Sequence, residues 1–173
     1  MAYETEKYRH LTLPYIAGNV IDLGSGGCPV VPHAIQVELP TAEFKHYTSG
    51  STPMVEPQWH GSAFDLPFKD ATVDTVYSSH LLEDVFEWKP VLREWVRVLK
   101  SGGNLIILLP DKALWAAALA KGQPPNCAHK HESYAGEISQ RMSMYGIPVR
   151  TICDQLTEQF EGDYNIMYVG QKW

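Results

Sequence analysis

The feature that most constrains this chain is a short segment, residues 20–29, in which an apolar run ends in a carboxylate and then in small residues. Val20 and Ile21 are β-branched, and such a run predicts a strand that is buried on both faces of a parallel sheet. Three glycines within residues 24–27 permit positive φ angles and close approach of a ligand to the backbone. Because ligands bind at the carboxyl ends of strands in open α/β sheets, the segment predicts a binding site directly after the first strand.

Length and charge set the broad class of the protein. The chain has 173 residues, which fits one domain with a single core. Lys and Arg number 14 against 20 Asp and Glu, and the formal net charge of -6 lacks the basic excess that binds phosphate backbones. We therefore expect no nucleic-acid partner. The three cysteines, Cys28, Cys127 and Cys153, form no C-x-x-C pair, which favours free thiols in a reducing compartment.

The first ten residues are polar and charged, and they lack the apolar core of a signal peptide. The longest apolar stretches, 105–109 and 113–120, are far shorter than the ~20 residues that cross a bilayer. These features predict a cytoplasmic protein without a membrane partner. The sequence does not indicate the oligomeric state.

Hydrophobic periodicity and turn residues predict the order of the elements. A second strand at 35–38 follows the first so closely that the first crossover has almost no room for a helix. Residues 39–59 are rich in proline and turn residues, which predicts a loop in which the second helix is reduced to at most one turn. The other predicted elements are an irregular lead-in or short helix at 4–17, a third strand at 58–63, a fourth strand ending before residue 80, a helix from Trp88 that ends at 100–103, a strand at 104–111, a helix at 113–120, a helix from Ser133 to about Met144, and two last strands at 149–153 and 164–169.

Several segments carry a family resemblance. The order of apolar strand, acid and Leu-Gly-x-Gly at 20–26 resembles the first motif of the class I S-adenosylmethionine (SAM) methyltransferases. Residues 61–84 resemble a second block of the same family, with Leu-Pro-Phe, Phe-Asp-x-Val-like and Ser-x-His-x-Leu-Glu elements at matching spacing. Residues 97–111 extend the resemblance, which covers roughly residues 20 to 111. Ser62 departs from the family's frequent Asp, and Asp84 replaces its usual second His.

The resemblance implies an α/β fold of the Rossmann-like, class I methyltransferase type. Its sheet is mostly parallel with a C-terminal antiparallel hairpin, and here the first helices are shortened. Residues 1–173 would form a single methyltransferase domain, with SAM as the cofactor. A dinucleotide is the alternative ligand of such a glycine turn, but it favours G-x-G-x-x-G, and Pro29 occupies the slot of the third glycine.

The resemblance also implies how the cofactor is bound. Glu38, just after the short second strand, corresponds to the acid that accepts hydrogen bonds from both ribose hydroxyls, and a carboxylate offers two acceptor oxygens for that purpose. Asp22 would lie near the loop backbone and the methionine amino group. Adenine recognition is left open among the hydroxyl, backbone and carboxylate groups of residues 62–65. The predicted cofactor-binding residues are Asp22, Gly24, Ser25, Gly26, Glu38, Ser62, Ala63, Phe64, Asp65 and Ser79.

Three histidines are candidates for a catalytic base, because an imidazole with a pKa near neutrality can take a proton from a hydroxyl. His80 is the first candidate, since it follows the fourth strand where the family places residues that face the methyl group. His129 and His131 are the second. This H-x-H pair, with Glu132 or Asp111, could also hold a metal, contact substrate or lie in solvent. The pair alone does not specify a metal, and we predict none.

The acceptor is the least constrained part of the prediction. The fourth strand is not followed by the Asn-Pro-Pro-Tyr-like run of enzymes that methylate amino groups of nucleic-acid bases. The polar, histidine-containing insert after Asp111 favours a small hydroxylated molecule, which makes O-methylation of a sugar or glycan hydroxyl the leading prediction. The shortened crossovers leave open a peptide or a carrier-bound metabolite as acceptor. Ser62 and the reduced helices leave open a binding or regulatory module that has lost catalysis.

Overall fold

The computed structural model describes residues 4–39, 58–123, 125–126, 128–160 and 162–173. Most of the loop predicted at 39–59 therefore lies outside the described residues, as does Cys127. The two cysteines that the structure describes, Cys28 and Cys153, are free thiols. The elements are α1 (Glu4–Thr12), a 3-10 helix (Leu13–Tyr15), β1 (Val20–Leu23), β2 (Ile35–Glu38), β3 (Trp59–His60), β4 (Val73–Ser79), a second 3-10 helix (Leu82–Asp84), α2 (Trp88–Val98), β5 (Leu99–Pro110), α3 (Lys112–Ala120), α4 (Glu137–Met144), β6 (Val149–Leu156) and β7 (Asn165–Lys172).

The strands of the described residues form one seven-stranded sheet with the order β3-β2-β1-β4-β5-β7-β6. β1 is parallel to both of its neighbours, so that Ile21 lies opposite Ile35 of β2 and Val76 of β4. β7 runs antiparallel to both β5 and β6. The predicted parallel sheet with a C-terminal antiparallel hairpin is thereby confirmed. None of the helices that the structure describes is long and apolar enough to cross a membrane.

The centre of the sheet is buried on both faces, as the continuous apolar runs of β1 and β5 predict. Along β5, Leu105, Ile107 and Leu109 belong to the larger hydrophobic cluster, which includes the buried tryptophans of α2. The alternate residues Ile106 and Leu108 belong to a second cluster on the other face, which includes Tyr8 of α1. Helices therefore cover both faces, while the carboxyl ends of the parallel strands meet at one edge.

The first crossover is short, as predicted. Residues 24–34, all of which are described, contain turns and no helix. β1 and β2 are therefore joined by a loop that passes over the carboxyl end of β1, and this loop cannot rely on a helix to hold it in place.

Three predicted boundaries were wrong around the third strand and β5. β3 has two residues, Trp59 and His60, instead of six. The helix α2 ends at Val98, not at 100–103, because Leu99 is already extended and pairs with Val73. The glycines that predicted a helix terminus lie inside β5, where Gly102 has φ +80°. A Cβ at Gly103 would lie 3.0 Å from the main-chain oxygen of Asp74, so this glycine permits close packing of β5 on β4.

The start of α4 was also predicted wrongly. The helix begins at Glu137, and Ser133 instead forms an isolated parallel bridge with Asp111. Gly136, at φ +91°, turns the chain into the helix. The capping group comes from β6, where Asp154 accepts hydrogen bonds from the main-chain nitrogens of Gly136 and Ser139, both at 2.9 Å. β6 and β7 are longer than predicted, because their antiparallel pairing continues from Val149 opposite Lys172 to Leu156 opposite Ile166.

Ile107→Ala is expected to lower the free energy of unfolding by about 2–5 kcal/mol, because Ile107 is completely buried in β5 and the truncation leaves a cavity. Ile152→Ala is the matched control on the edge strand β6, where the side chain is 43% exposed. Its expected loss is below about 1 kcal/mol. Urea denaturation of both variants measures the difference, and equal losses would contradict a sheet with a covered centre and an open edge.

Candidate functional site

A cavity of about 600 Å³ opens at the carboxyl ends of β1, β2 and β4. Its position is the usual ligand site of open α/β sheets, and its volume lies within the ~300–1,000 Å³ of small-molecule pockets. The predicted site residues in its wall are Gly24, Gly26, Glu38, Ser62, Ala63, Phe64 and His80. The predicted residues outside its wall are Asp22, Ser25, Asp65, Ser79, His129 and His131.

The glycine turn brings bare backbone to the cavity wall. Gly24 and Gly26 have φ angles of +73° and +60°, which residues with a Cβ rarely adopt. The main-chain nitrogen of Gly24 donates to the main-chain oxygen of Val37 in β2, at 3.0 Å. A Cβ at Gly24 would lie 3.2 Å from the Leu81 Cβ across the site. Glycine at this position therefore permits both the turn and the close approach of the segment after β4.

Glu38 joins the end of β2 to the glycine turn. Its Oε1 accepts a hydrogen bond from the Gly26 main-chain nitrogen at 2.6 Å, and Ser25 Oγ lies 3.1 Å from the same oxygen. Ser25 Oγ also donates to Gln36 Oε1 at 2.8 Å, so this side chain points at β2 and not into the cavity. The carboxylate of Glu38 is therefore held in a fixed place on the cavity wall.

Asp22 lies beneath the turn. Its side chain is completely buried, and its Oδ2 accepts a hydrogen bond from the Val30 main-chain nitrogen at 2.7 Å. Burial raises the pKa of Asp22 to about 8, and the charge of Glu38 adds to this shift, while the hydrogen bond from Val30 and the charge of Arg9 oppose it. The structure thus places Asp22 as a support of the loop backbone.

The segment 61–64 forms another part of the cavity wall. Ser62 Oγ accepts a hydrogen bond from the Phe64 main-chain nitrogen at 3.1 Å, which closes a tight turn. Trp95 Nε1 of α2 donates to the main-chain oxygen of Ala63 at 3.0 Å and fixes this turn to the core. Phe64 is 47% exposed and offers an apolar ring at the cavity mouth. Asp65 is exposed beyond the lining.

His80 follows β4 with a φ of +55°, an angle that costs free energy for a residue with a Cβ. Its Nδ1 lies 3.2 Å from Glu83 Oε1, and its Nε2 lies 3.8 Å from Glu4 Oε2 of α1. Burial lowers the pKa of His80, but the hydrogen bond and charge of Glu83 and the charge of Glu4 outweigh burial, so the net pKa is raised. The protonated ring is therefore stabilised here.

The structure separates the two other histidines. His129 Nε2 lies 3.8 Å from Glu83 Oε1, and its ring centroid lies 5.4 Å from that of Trp115. Burial lowers the pKa of His129, with a smaller opposing effect from Glu83. His131 Nε2 lies 2.9 Å from the main-chain oxygen of Phe86, and its ring packs on Trp88. His129 thus lies near His80, whereas His131 serves to pack the loop.

Two other groups considered as metal ligands are engaged elsewhere. Asp111 Oδ1 caps α3 by accepting from the main-chain nitrogens of Ala113 and Leu114. Glu132 forms an exposed ion pair with Lys112 at 2.7 Å. Across the residues that the structure describes, no three His, Cys, Asp or Glu side chains are placed to hold a metal ion.

Sequence reasoning gave no role to three acidic residues near His80. Glu83 is 1% exposed, Asp84 lines the cavity, and Glu4 reaches the site from α1. Burial, followed by the charge of Glu83, raises the pKa of Asp84 to about 7, while His80 and Lys130 oppose the shift. The spacing of Glu83 and Asp84 from His80 offered a local signal, but nothing near Glu4 in the sequence relates it to the site.

Comparison with known proteins finds sequence similarity to methyltransferases. A family model described as a methyltransferase domain matches residues 33–107. A protein of Mycolicibacterium smegmatis, named a probable S-adenosylmethionine-dependent methyltransferase, is 28% identical over 90 residues, which are 52% of this chain and 34% of that protein. A demethylmenaquinone methyltransferase of Bacillus cytotoxicus is 45% identical over 49 residues, 28% of this chain and 21% of that protein. The matches thus span about a third or less of these relatives.

Solved structures share the fold over nearly the whole chain. A SAM-dependent methyltransferase of Archaeoglobus fulgidus matches with a TM-score of 0.67 at 17% identity. The match covers 97% of this chain and 92% of the Archaeoglobus chain. A SAM-dependent methyltransferase of Thermotoga maritima, described as a possible histamine N-methyltransferase, has a TM-score of 0.66 at 17% identity, covering 98% and 89%. At these identities the likeness establishes the fold.

Asp22 makes the stability of the protein depend on pH. Its pKa is about 8 in the folded chain and near the ordinary 3.8 after unfolding, so between these values the folded state binds more protons and stability falls as pH rises. Asp22→Asn keeps an acceptor for the Val30 nitrogen and removes this fall. As the pH rises from about 5 to about 8, we expect the free energy of unfolding of the variant to increase by more than about 1 kcal/mol relative to that of the wild type.

Denaturant titrations at both pH values measure this gain, with Asp65→Asn as the same change at an exposed position. An equal pH dependence in wild type and Asp22→Asn would show that Asp22 is not protonated in the folded protein.

Proposed function

The chain belongs to the class I SAM-dependent methyltransferase family, and on that premise we propose that it binds SAM in the cavity and methylates a small acceptor. The observation that carries the proposal is the meeting of the glycine turn, the Glu38 carboxylate and His80 in the wall of one cavity. We take residues 1–173 as one methyltransferase domain, because a single sheet carries the cavity and both hydrophobic clusters.

The residues of the cavity fit this cofactor. Glu38 is fixed by the turn and offers a carboxylate to the ribose hydroxyls. The bare backbone at Gly24 leaves room for the methionine portion, since a Cβ there would already touch Leu81. The apolar ring of Phe64 and the turn at Ser62 and Ala63 suit a flat adenine. When bound, SAM supplies a methyl group on a positively charged sulfur, which leaves as a neutral thioether.

The chain's own contribution is mainly alignment, because the donor is already activated. His80 would accept the proton that an acceptor hydroxyl loses as its oxygen takes the methyl group. Glu83 and Glu4 flank the ring and stabilise the imidazolium that results. This arrangement favours O-methylation. The polar segment after α3, which brings His129 toward Glu83, supports a sugar or glycan hydroxyl as the acceptor.

Glu38→Ala is expected to weaken SAM binding by tenfold or more, on the order of 1.4 kcal/mol, because it removes both the ribose acceptor and the anchor of the glycine turn. Glu38→Gln retains an acceptor oxygen for Gly26 and is expected to lose less. Calorimetry with SAM and with its demethylated product measures both variants against Glu6→Ala, on the exposed face of α1. Failure of the wild type to bind either molecule would contradict the proposed function.

His80→Asn is the sharper test of catalysis, because Asn tolerates the left-handed backbone that His80 adopts. Loss of a general base lowers the rate by about 10²–10⁴-fold, while SAM binding is expected to persist. The wild type and the variant are incubated with SAM and a panel of sugars and glycans, and methylated products are detected by mass. His33→Asn, at an exposed turn, is the control.

Full turnover by His80→Asn would remove His80 from the mechanism. SAM binding by the wild type without turnover on broad acceptor panels would favour the module that has lost catalysis.

A further inference from the structure

Glu83 occupies an unusual position for a carboxylate. It lies in the 3-10 helix after β4 and is 1% exposed, so its charge is removed from water. Two imidazole nitrogens lie near its Oε1, His80 Nδ1 at 3.2 Å and His129 Nε2 at 3.8 Å. A buried carboxylate is costly unless a positive charge or a hydrogen-bond donor compensates for it. The placement of Glu83 therefore depends on the protonation of these rings.

The main chain of Glu83 ties a second segment to the same place. Its main-chain oxygen accepts hydrogen bonds from the main-chain nitrogens of Lys130 at 2.7 Å and His131 at 3.0 Å. The loop that carries His129 is thus fixed to the residue whose side chain faces His80. Glu83 therefore contacts His80 through its side chain and the His129 loop through its main chain.

Glu83 Oε1 lies 3.2 Å from His80 Nδ1, and neither carboxylate oxygen of Glu83 has a regular hydrogen bond from another group among the described residues. A carboxylate oxygen can only accept, so a proton on His80 Nδ1 compensates this buried charge and leaves the lone pair on Nε2. Nε2 has no hydrogen-bond partner among the described residues, since Glu4 Oε2 at 3.8 Å lies beyond hydrogen-bond distance. Buried ring nitrogens are normally satisfied, and a donor brought by a ligand would satisfy this one.

We propose that Glu83 is a positioning residue, which holds His80 in the Nδ1-protonated form so that Nε2 accepts the proton of the acceptor. The proposal rests on the proposed function, because it needs His80 to face a reacting group. Glu83 is not among the residues of the cavity wall, so its proposed action is exerted through His80. The titratable and charged groups around His80 are Glu4, Lys7, Glu83, Asp84, His129 and Tyr164.

The test needs no acceptor. In the full chain labelled with ¹⁵N-histidine, the two ring nitrogens report protonation separately, and His80→Asn identifies the signals of His80. In the wild type we expect neutral His80 to carry its proton on Nδ1. Glu83→Gln removes the charge at nearly constant size, so the pKa of His80 should fall, because Glu83 makes the largest contribution that raises it, and the two neutral tautomers should mix.

Glu87→Gln is the matched control, because it makes the same change of charge on an exposed residue of the cavity wall. It is expected to leave the His80 signals unchanged. Calorimetry with SAM is run on the same samples, and Glu83→Gln should bind SAM within about threefold of the wild type, so that a failure of SAM binding is distinguished from a failure of positioning.

A wild-type His80 with its proton on Nε2, or a Glu83→Gln variant with unchanged ring signals, would overturn the proposal. If Glu83→Gln does not fold, the wild-type tautomer decides alone, and Glu83→Asp, which keeps the charge but shortens its reach, gives the second comparison.

Discussion

The hydrogen bond from the Gly26 nitrogen to Glu38 Oε1 is the interaction on which the rest of the site depends. In most α/β units a helix follows the glycine turn and holds it, but residues 24–34 of this chain contain no helix. Side chains supply the missing support. Glu38 holds the front of the loop, Asp22 accepts from the Val30 nitrogen behind it, and Arg9 of α1 donates to the main-chain oxygens of Val30 and Pro29. Side chains from β2, β1 and α1 thus hold the loop in place of a helix, and the loop is fixed although the crossover is short.

Carboxylates also determine the electrostatics of the cavity. Glu38 and Asp84 lie in its wall, and Glu83 lies directly behind His80. Acidic walls favour a cationic ligand, and the positive sulfur of SAM meets that requirement, whereas the phosphates of a dinucleotide do not. Not every carboxyl group near the cavity carries its charge, however. Burial and a neighbouring carboxylate, Glu38 for Asp22 and Glu83 for Asp84, raise the pKa values of these two acids and favour their neutral forms.

The sequence predicted the features that depend on neighbouring residues. The buried strands and the glycine turn follow from local composition, whereas the assignments of Glu38 and His80 follow from the family resemblance, and the structure brings Gly24, Glu38 and His80 into one cavity. Features that depend on distant partners were missed. Ser133 was a reasonable cap for α4, but Asp154 of β6, which has no local signal, takes that place. Glu4 reaches His80 only because α1 packs against the sheet, and no pattern in residues 4–17 indicates that contact.

The two histidines of the H-x-H pair show why spacing alone could not assign a role after β5. In a regular strand they would share a face, but the chain at 128–132 is irregular, so the two rings point to different partners. His131 contacts Phe86 and Trp88, and His129 approaches Glu83. Both orientations follow from the hydrogen bonds that the Glu83 main chain makes with Lys130 and His131. The segment that we propose to contact the acceptor is therefore held by the same residue that contacts His80, so the proposed acceptor site and the proposed base share one support.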